Sequence, residues 1–313
     1  MKPIIKQQGA AIIVALFVTA LVAAMAIAMM QRLAIDTRRT ELILNANQTF
    51  FDAQGAIAWS LDQLNNDWKL QKPKQLIDKT PIKMTTKQND TIISSVIEDA
   101  QANFNLNNLT DKNFQPDFKR LLHTIAPKVD EATAQSILLG IIDWITPGLR
   151  GTTFDKYYAE LNPPYQAPHN PMVSVSELRL IKDVSAEIYN QLAPFITALP
   201  EKTPVNVNSA PAPVLMSLSK TMTLETAKNL SIYRQQTPFL TLEQFSKLEL
   251  VKNNPIPETK ITVTSNYFLV KSEITIGQQH TVLNTLVQRV TKEGQSADKK
   301  STVRILWQTK GTL

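Results

Sequence analysis

From Ala10 to Met30 the chain runs for twenty-one residues without a charge. At about 1.5 Å per residue a helix of that length spans roughly 31 Å, the thickness of a bilayer's hydrocarbon core. A cleaved secretory signal would carry an apolar run of about 7–15 residues closed by a small-residue cleavage site. Here Gln31, Arg32, Leu33 and Ala34 follow instead, and they read as continued helix. No proline falls between Pro3 and Pro73, and Ala46, Phe50, Ala53, Ile57, Leu61 and Leu64 recur at spacings of 3 and 4. That spacing draws one apolar stripe on a helix. A single element from Ala10 to about Leu64 is therefore expected, apolar all round in its first half and amphipathic in its second. Such an element is a membrane anchor that becomes the spine of a folded domain. Counting basic residues does not orient it, because Lys2 and Lys6 precede the span and Arg32, Arg38 and Arg39 follow.

The remainder is composed like a folded protein, with 43% hydrophobic and 19% charged residues in 313. Lys+Arg 33 against Asp+Glu 27 gives 33 − 27 = +6. That mild excess, without dense basic runs, does not fit a dedicated nucleic-acid binder. There is no cysteine, so disulfides, thiolate metal sites and a Cys nucleophile are excluded. The three histidines, His123, His169 and His280, are far apart in sequence, and no zinc-protease, nucleophile-elbow or phosphate-loop motif occurs. No catalytic residue is nominated and the chain reads as a non-enzyme.

Proline usage divides the body. Fifteen of the eighteen prolines fall between Pro116 and Pro257, where the pattern otherwise reads as short helices. These are expected over Phe118 to Ile125, Glu131 to Trp144, Val175 to Leu192, Ala212 to Leu218, Leu224 to Gln235 and Leu242 to Leu248. Strand-like segments flank the region: Thr91 to Glu98 before it, then Lys260 to Val270, Ser272 to Ile276, Thr281 to Val290 and Thr302 to Trp307. The fold class is α+β, with a helix and antiparallel sheet interrupted by an inserted helical domain over residues 105–250.

A short basic leader ending in Gly9, an apolar helix beginning at Ala10 and an amphipathic continuation resemble the type IV prepilin class. The resemblance implies cleavage after Gly9 by a prepilin peptidase, methylation of the new N-terminus at Ala10, and a body outside the cytoplasm. The class usually carries glutamate at the fifth mature position, where it neutralises a neighbour's terminal amine in the filament core; this chain has Val14. An unpaired charge in that apolar core is costly, so a subunit lacking the glutamate suits a filament end.

The middle of the chain adds Asn103-Phe-Asn-Leu-Asn-Asn-Leu109, Ile141-Ile-Asp-Trp-Ile145, Asn162-Pro-Pro-Tyr165, Ser174-Val-Ser-Glu-Leu178, Leu192-Ala-Pro-Phe195 and Val205-Asn-Val-Asn-Ser-Ala210. In this order behind a prepilin leader, these segments resemble the K-type minor pseudopilins of type II secretion, the general secretion pathway protein K family. The resemblance implies a type IV pilin-like fold carrying SAM-like or helix-hairpin-helix-like inserted helices. It divides the chain into a leader (1–9), a transmembrane segment (10–30), an amphipathic helix with the first strands (31–104), the insertion (105–250) and the last strands (251–313). It also implies a single-pass inner-membrane protein with a periplasmic body, placed at the pseudopilus tip with I-type and J-type minor pseudopilins above the major pseudopilin filament. Phe50, Ile57 and Trp59 are expected both to pack on the sheet and to be available as contacts for partner helices.

Two sharper readings remain. Residues Val205 to Phe245 also resemble a helix-hairpin-helix, the DNA-binding element of membrane-anchored uptake receptors. The hairpin position, Ser219 to Leu224, has no glycine to admit a phosphate to the backbone, which weighs against nucleic acid as a partner. Family members carry an acid-rich calcium loop after the Asp-Trp segment. This chain keeps Asp143 and Asp155 but sets Arg150 between them, short of the six to eight oxygens calcium takes. No cofactor is required on this reading, and calcium has only those two candidate ligands. His169, in Ala167-Pro-His-Asn-Pro171, reads as a loop residue, and Trp59, Trp68, Trp144 and Trp307 as packing residues.

Overall fold

The computed structural model describes residues 8–69, 81–88, 90–277, 279–291 and 301–311; residues 1–7, most of the expected leader, lie outside them, as does the side chain of Trp68. A helix of 62 residues, α1 (Gln8–Lys69), opens the fold. Its buried stripe is Thr49, Ala53, Ala56, Ile57, Ser60 and Leu64. The small side chains at 53, 56 and 60 let the helix lie close on a sheet, and Ile57 and Leu64 fill the layer between. Full burial of each of these two is worth about 1.5–3 kcal/mol. Ala46 and Phe50, expected on the same stripe, are exposed. At this end of the sheet Thr49, and not Ala46 or Phe50, faces the strands, its hydroxyl receiving a hydrogen bond from Thr281 Oγ1 at 3.1 Å, and one turn or more earlier Gln279 Nε2 still donates to the Leu42 carbonyl at 2.9 Å.

The sheet has five strands in the order β1 (Ile82–Gln88), β2 (Thr91–Asp99), β7 (Tyr267–Ile276), β8 (Gln279–Thr291) and β9 (Ser301–Lys310), each pair antiparallel. Alternation places Ile97, Phe268, Val270, Ile274, Leu283 and Val287 against α1. Three serines carry polar contact through this layer: Ser60 Oγ lies 3.0 Å from Ser95 Oγ, which lies 3.2 Å from Ser272 Oγ.

Between β2 and β7 lies the helical body, although those two strands are neighbours from Thr91↔Ile276 to Asp99↔Phe268. The body holds two short parallel pairs, β3 (Phe104–Asn105) with β4 (Ile196–Thr197) and β5 (Val205–Asn206) with β6 (Ile261–Thr262). Its helices are α2 (Gln115–Ile125), α3 (Glu131–Ile145), α4 (Thr153–Ala159), α5 (Ala186–Leu192), α6 (Ala212–Leu218), α7 (Leu224–Gln236), α8 (Leu242–Ser246) and α9 (Glu249–Lys252). They enclose a core of their own around Phe104, Phe118, Ile137, Trp144, Tyr158 and Phe245.

Three local expectations are corrected. Val175 to Leu192 is not one helix: a 3-10 turn over Val175–Leu180 ends before Asp183, whose φ of 65° breaks the run, and Ser185 caps α5 afresh. Lys260 to Val270 is not one strand, because β6 stops at Thr262 and β7 starts at Tyr267 and runs unbroken through Lys271. Of the first strands expected before residue 104, the pattern places only Thr91 to Glu98 and misses β1, whose sequence Ile-Lys-Met-Thr-Thr-Lys-Gln is mostly exposed, as suits an edge strand.

Candidate functional site

The first candidate surface is α1 itself. Among the described residues it carries the single stretch long and apolar enough to cross a membrane, and none of that stretch is buried within the chain. Ala10 is exposed and Val14 is 60% exposed, both on this bare helix. Farther along, Phe50 and Phe51 form an exposed edge-to-face pair with centroids 6.1 Å apart. Trp59 is half-buried at the margin of the helix–sheet core. Ile57 is 1% exposed and spent on the sheet, so it presents no surface to a partner.

The second candidate lies in the helical body, where Asp143, Asp155 and His169 meet with one ligand atom each, all within 4.8 Å of one another. Asp143 sits in the last turn of α3 and is buried, 6% exposed. Burial pushes its carboxyl above the ordinary carboxylate value, Thr152 and His169 oppose that, and Asp155 adds to it. Asp155 occupies the first turn of α4 in a capping box: its backbone N–H donates to Thr152 Oγ1 at 3.1 Å, and the Thr152 N–H donates to Asp155 Oδ2 at 3.2 Å. Burial raises this carboxyl, but the Thr152 N–H and His169 outweigh it and hold it below its usual value.

His169 is the member that sequence reasoning missed. Its φ of 47° lies in the left-handed region and swings the ring back under α3. Nδ1 faces the Asp143 backbone carbonyl at 2.9 Å, and Nε2 faces Asp155 Oδ1 at 3.0 Å. A carbonyl only accepts, so Nδ1 carries a proton. The one advance signal was a histidine locked between Pro168 and Pro171. The cluster opens on a cleft of about 870 Å³ whose rim includes Pro147, Gly148 and Arg150. Two carboxylates, one ring nitrogen and an arginine at the rim do not match the oxygen cage that calcium takes.

The segments singled out in the sequence turn out to fasten one another. Asn107 Nδ2 donates to the carbonyls of Met172 and Leu199 at 2.9 and 2.8 Å, and its Oδ1 accepts from Met172 N at 2.9 Å. Asn105 and Asn108 hold Leu199, Glu201 and Thr203 in the same manner. Asn208 clamps Phe239 through both its donor and its acceptor, at 2.8 and 2.9 Å. Trp144 Nε1 donates to Glu177 Oε2 at 2.9 Å, joining the Asp-Trp segment to the Ser-Glu-Leu segment. In the helix-hairpin-helix-like stretch, residues 219–223 link α6 to α7 with no residue at positive φ.

A long helix, bare and apolar at one end and packed on an antiparallel sheet at the other, with a helical body inserted between two paired strands, defines a helix-anchored α+β subunit. Two family models, both described as type II secretion system protein K, match residues 102–201 and 205–264. A curated type II secretion system protein K from Pseudomonas aeruginosa is 34% identical over 203 residues, which cover 62% of this chain and 60% of that relative's length. Its counterpart from Pectobacterium carotovorum is 27% identical over 315 residues, covering 91% of this chain and 94% of that one. Among solved structures, a chain of the GspK-GspI-GspJ complex from the enterotoxigenic Escherichia coli type 2 secretion system superposes with a TM-score of 0.72. That match has 22% sequence identity and covers 88% of this chain and 100% of the other. The chain belongs to the type II secretion system protein K family, the K-type minor pseudopilins.

Proposed function

We propose that the chain is the non-enzymatic tip subunit of a type II secretion pseudopilus, initiating or capping the filament and supporting export of folded proteins across the outer membrane. The observation that carries this is the pairing of β2 with β7 across the whole helical body. That body stands on a subunit whose α1 also offers a long uncovered apolar half. A filament made of such helices side by side has no room for the body at every position, and a tip position removes the crowding. The solved relative was crystallised as a GspK-GspI-GspJ complex, which supports I-type and J-type minor pseudopilins as partners here.

On this reading the fold is pilin-like with SAM-like inserted helices, and the divisions at 9, 30, 104 and 250 mark its functional parts. Prepilin peptidase cuts between Gly9 and Ala10, and the anchor enters the inner membrane once with the body in the periplasm. Val14 in place of glutamate fits a subunit that has no neighbour's amine to neutralise above it. The major pseudopilin filament lies beneath, and none of this assembly needs a cofactor or nucleic acid.

The test is affinity purification of the tagged full chain from detergent-solubilised membranes, with the retained proteins identified and counted by mass spectrometry. Recovery of one I-type and one J-type minor pseudopilin per chain is expected. Recovery of no pilin-like subunit, with duplex DNA retained in a salt-dependent manner instead, overturns the proposal in favour of DNA uptake.

A further inference from the structure

Between its membrane-spanning stretch and the folded domain, α1 is bare. Every residue from Gln31 to Glu41 is exposed, and the domain meets the helix at Leu42, whose carbonyl accepts from Gln279 Nε2 at 2.9 Å. The bare stretch sets Arg32, Arg38 and Arg39 against Asp36 and Glu41. Among the described residues, none of its three guanidinium groups makes a hydrogen bond or an ion pair. Elsewhere the fold pairs the cations it uses: Arg120 and Lys260 both bind the buried Asp117. We infer, on the reading of α1 as a membrane anchor, that Arg32, Arg38 and Arg39 bind the phosphate groups of anionic phospholipid in the leaflet at which α1 leaves the membrane.

At about 1.5 Å per residue, Arg32 stands roughly 3 Å beyond Met30, inside a headgroup layer about 5–8 Å deep. Arg38 and Arg39 stand roughly 12–14 Å beyond it. Helical side chains lean toward the helix N-terminus, here back toward the membrane, so these two long arms bridge the remaining distance. Leu33 and Ile35, each 67% exposed, draw the helix deeper on entering the interface and shorten that distance further. Arg32 and Arg39, seven residues apart, share one face of α1. Asp36 lies between them on that face yet pairs with neither. A guanidinium offers a phosphate two parallel N–H donors, and a mobile lipid headgroup turns to accept both. With the body outside the cytoplasm, these arginines also run against the tendency of basic residues to gather in cytoplasmic loops. An anion at the exit from the membrane removes that anomaly. A partner's acidic helix would have to meet the arginines at the membrane surface, where Arg32 already stands among phosphates.

The test uses the full chain reconstituted in nanodiscs of phosphatidylcholine and phosphatidylglycerol. It is then purified in mild detergent, and the lipid it retains is counted by mass spectrometry. Phosphatidylglycerol is expected about fivefold above its share of the discs, the factor that one arginine supplies near an anionic surface, and the excess should shrink as salt is raised. Arg32→Gln, Arg38→Gln and Arg39→Gln combined, all on the exposed stretch, should return the ratio to that of the discs while circular dichroism stays that of wild type. No enrichment in wild type, or enrichment that survives the triple variant, overturns the assignment. Unchanged enrichment together with loss of minor pseudopilins from the triple variant overturns it in favour of an acidic partner. Alkaline carbonate extraction of the parent membranes keeps the two readings apart. Wild type released by carbonate overturns the anchor itself, whereas retained wild type without enrichment overturns the lipid assignment alone.

Discussion

Asn107 and Met172, 65 residues apart, exchange two hydrogen bonds of 2.9 Å each, side chain to backbone in both directions. The asparagine thereby acts as a piece of strand for a loop that has none. Neither residue is exposed, so water cannot replace what the pair supplies. Asn107→Leu keeps the volume and removes the donor and acceptor, leaving the Met172 N–H and the Met172 and Leu199 carbonyls unpaired. Each buried unpaired group costs about 1–3 kcal/mol, so the variant should lose at least about 2 kcal/mol. Urea unfolding followed by tryptophan fluorescence measures this, and an unchanged midpoint would refute the clamp.

Such clamps mark where sequence reading stopped. The recurrence of asparagine over 103–109 and 205–210 is visible in the sequence, but its partners at Met172, Leu199, Thr203 and Phe239 are not, because no periodicity links a side chain to a distant backbone. The long helix was legible because charge-free length and a 3-and-4 spacing are local properties. Ala46 and Phe50 fit that spacing and are nonetheless exposed while Thr49 between them is buried, since which of two adjacent stripes meets the strands is not written in the helix. Asp143 and Asp155 were visible as acids, whereas His169 joins them only through a loop conformation that its own residues do not announce. Strand β1 escaped because an edge strand lacks the apolar alternation that reveals a buried one.

The contrast between Phe50 and Ile57 separates partner binding from folding. Ile57 is buried against the sheet, so Ile57→Ala should cost about 2–4 kcal/mol through the cavity it leaves. Phe50 is 41% exposed and touches Phe51 at the surface, so Phe50→Ala should stay within about 0.5 kcal/mol of wild type. If α1 offers this edge to neighbouring subunits, Phe50→Ala lowers recovery of minor pseudopilins in affinity purification while leaving the unfolding midpoint in place. Equal recovery from Phe50→Ala and wild type would remove Phe50 from the interface.

Asp99 closes β2 at the junction with the helical body, accepting from Gln101 N, Asn206 Nδ2, Ser209 Oγ and Ser265 Oγ. Burial nevertheless raises its carboxyl above the ordinary value of 3.8, the four donors offsetting only part of that. A carboxyl raised in the fold holds its proton after the unfolded chain has released its own. Its stabilising share is therefore complete below the unfolded value and is lost as pH rises through the folded one. Stability of the wild type relative to Asp99→Asn should fall as pH is raised across that window, then level off. Urea midpoints taken in parallel at stepped pH decide this, and a wild-type curve that rises against the variant reverses the sign and the explanation.

Gly140 sets two rules against each other. It lies inside α3, where replacement by alanine gains about 1 kcal/mol of helix propensity. A Cβ built there would stand 2.9 Å from Ile181 Cγ2 and 3.3 Å from Phe154 Cε1, closer than packed carbons approach. Ile181 is 3% exposed and enclosed by the same core, so its methyl has little room to retreat. Overpacking of this kind costs about 1–3 kcal/mol, which outweighs the helical gain. Gly140→Ala should therefore destabilise by roughly 1 kcal/mol. Paired with Ile181→Ala, which removes the Cγ2 methyl it strikes, it should lose less than the two single variants summed. A double-mutant cycle on urea midpoints reads the coupling directly, and strict additivity would mean the contact relaxes without cost.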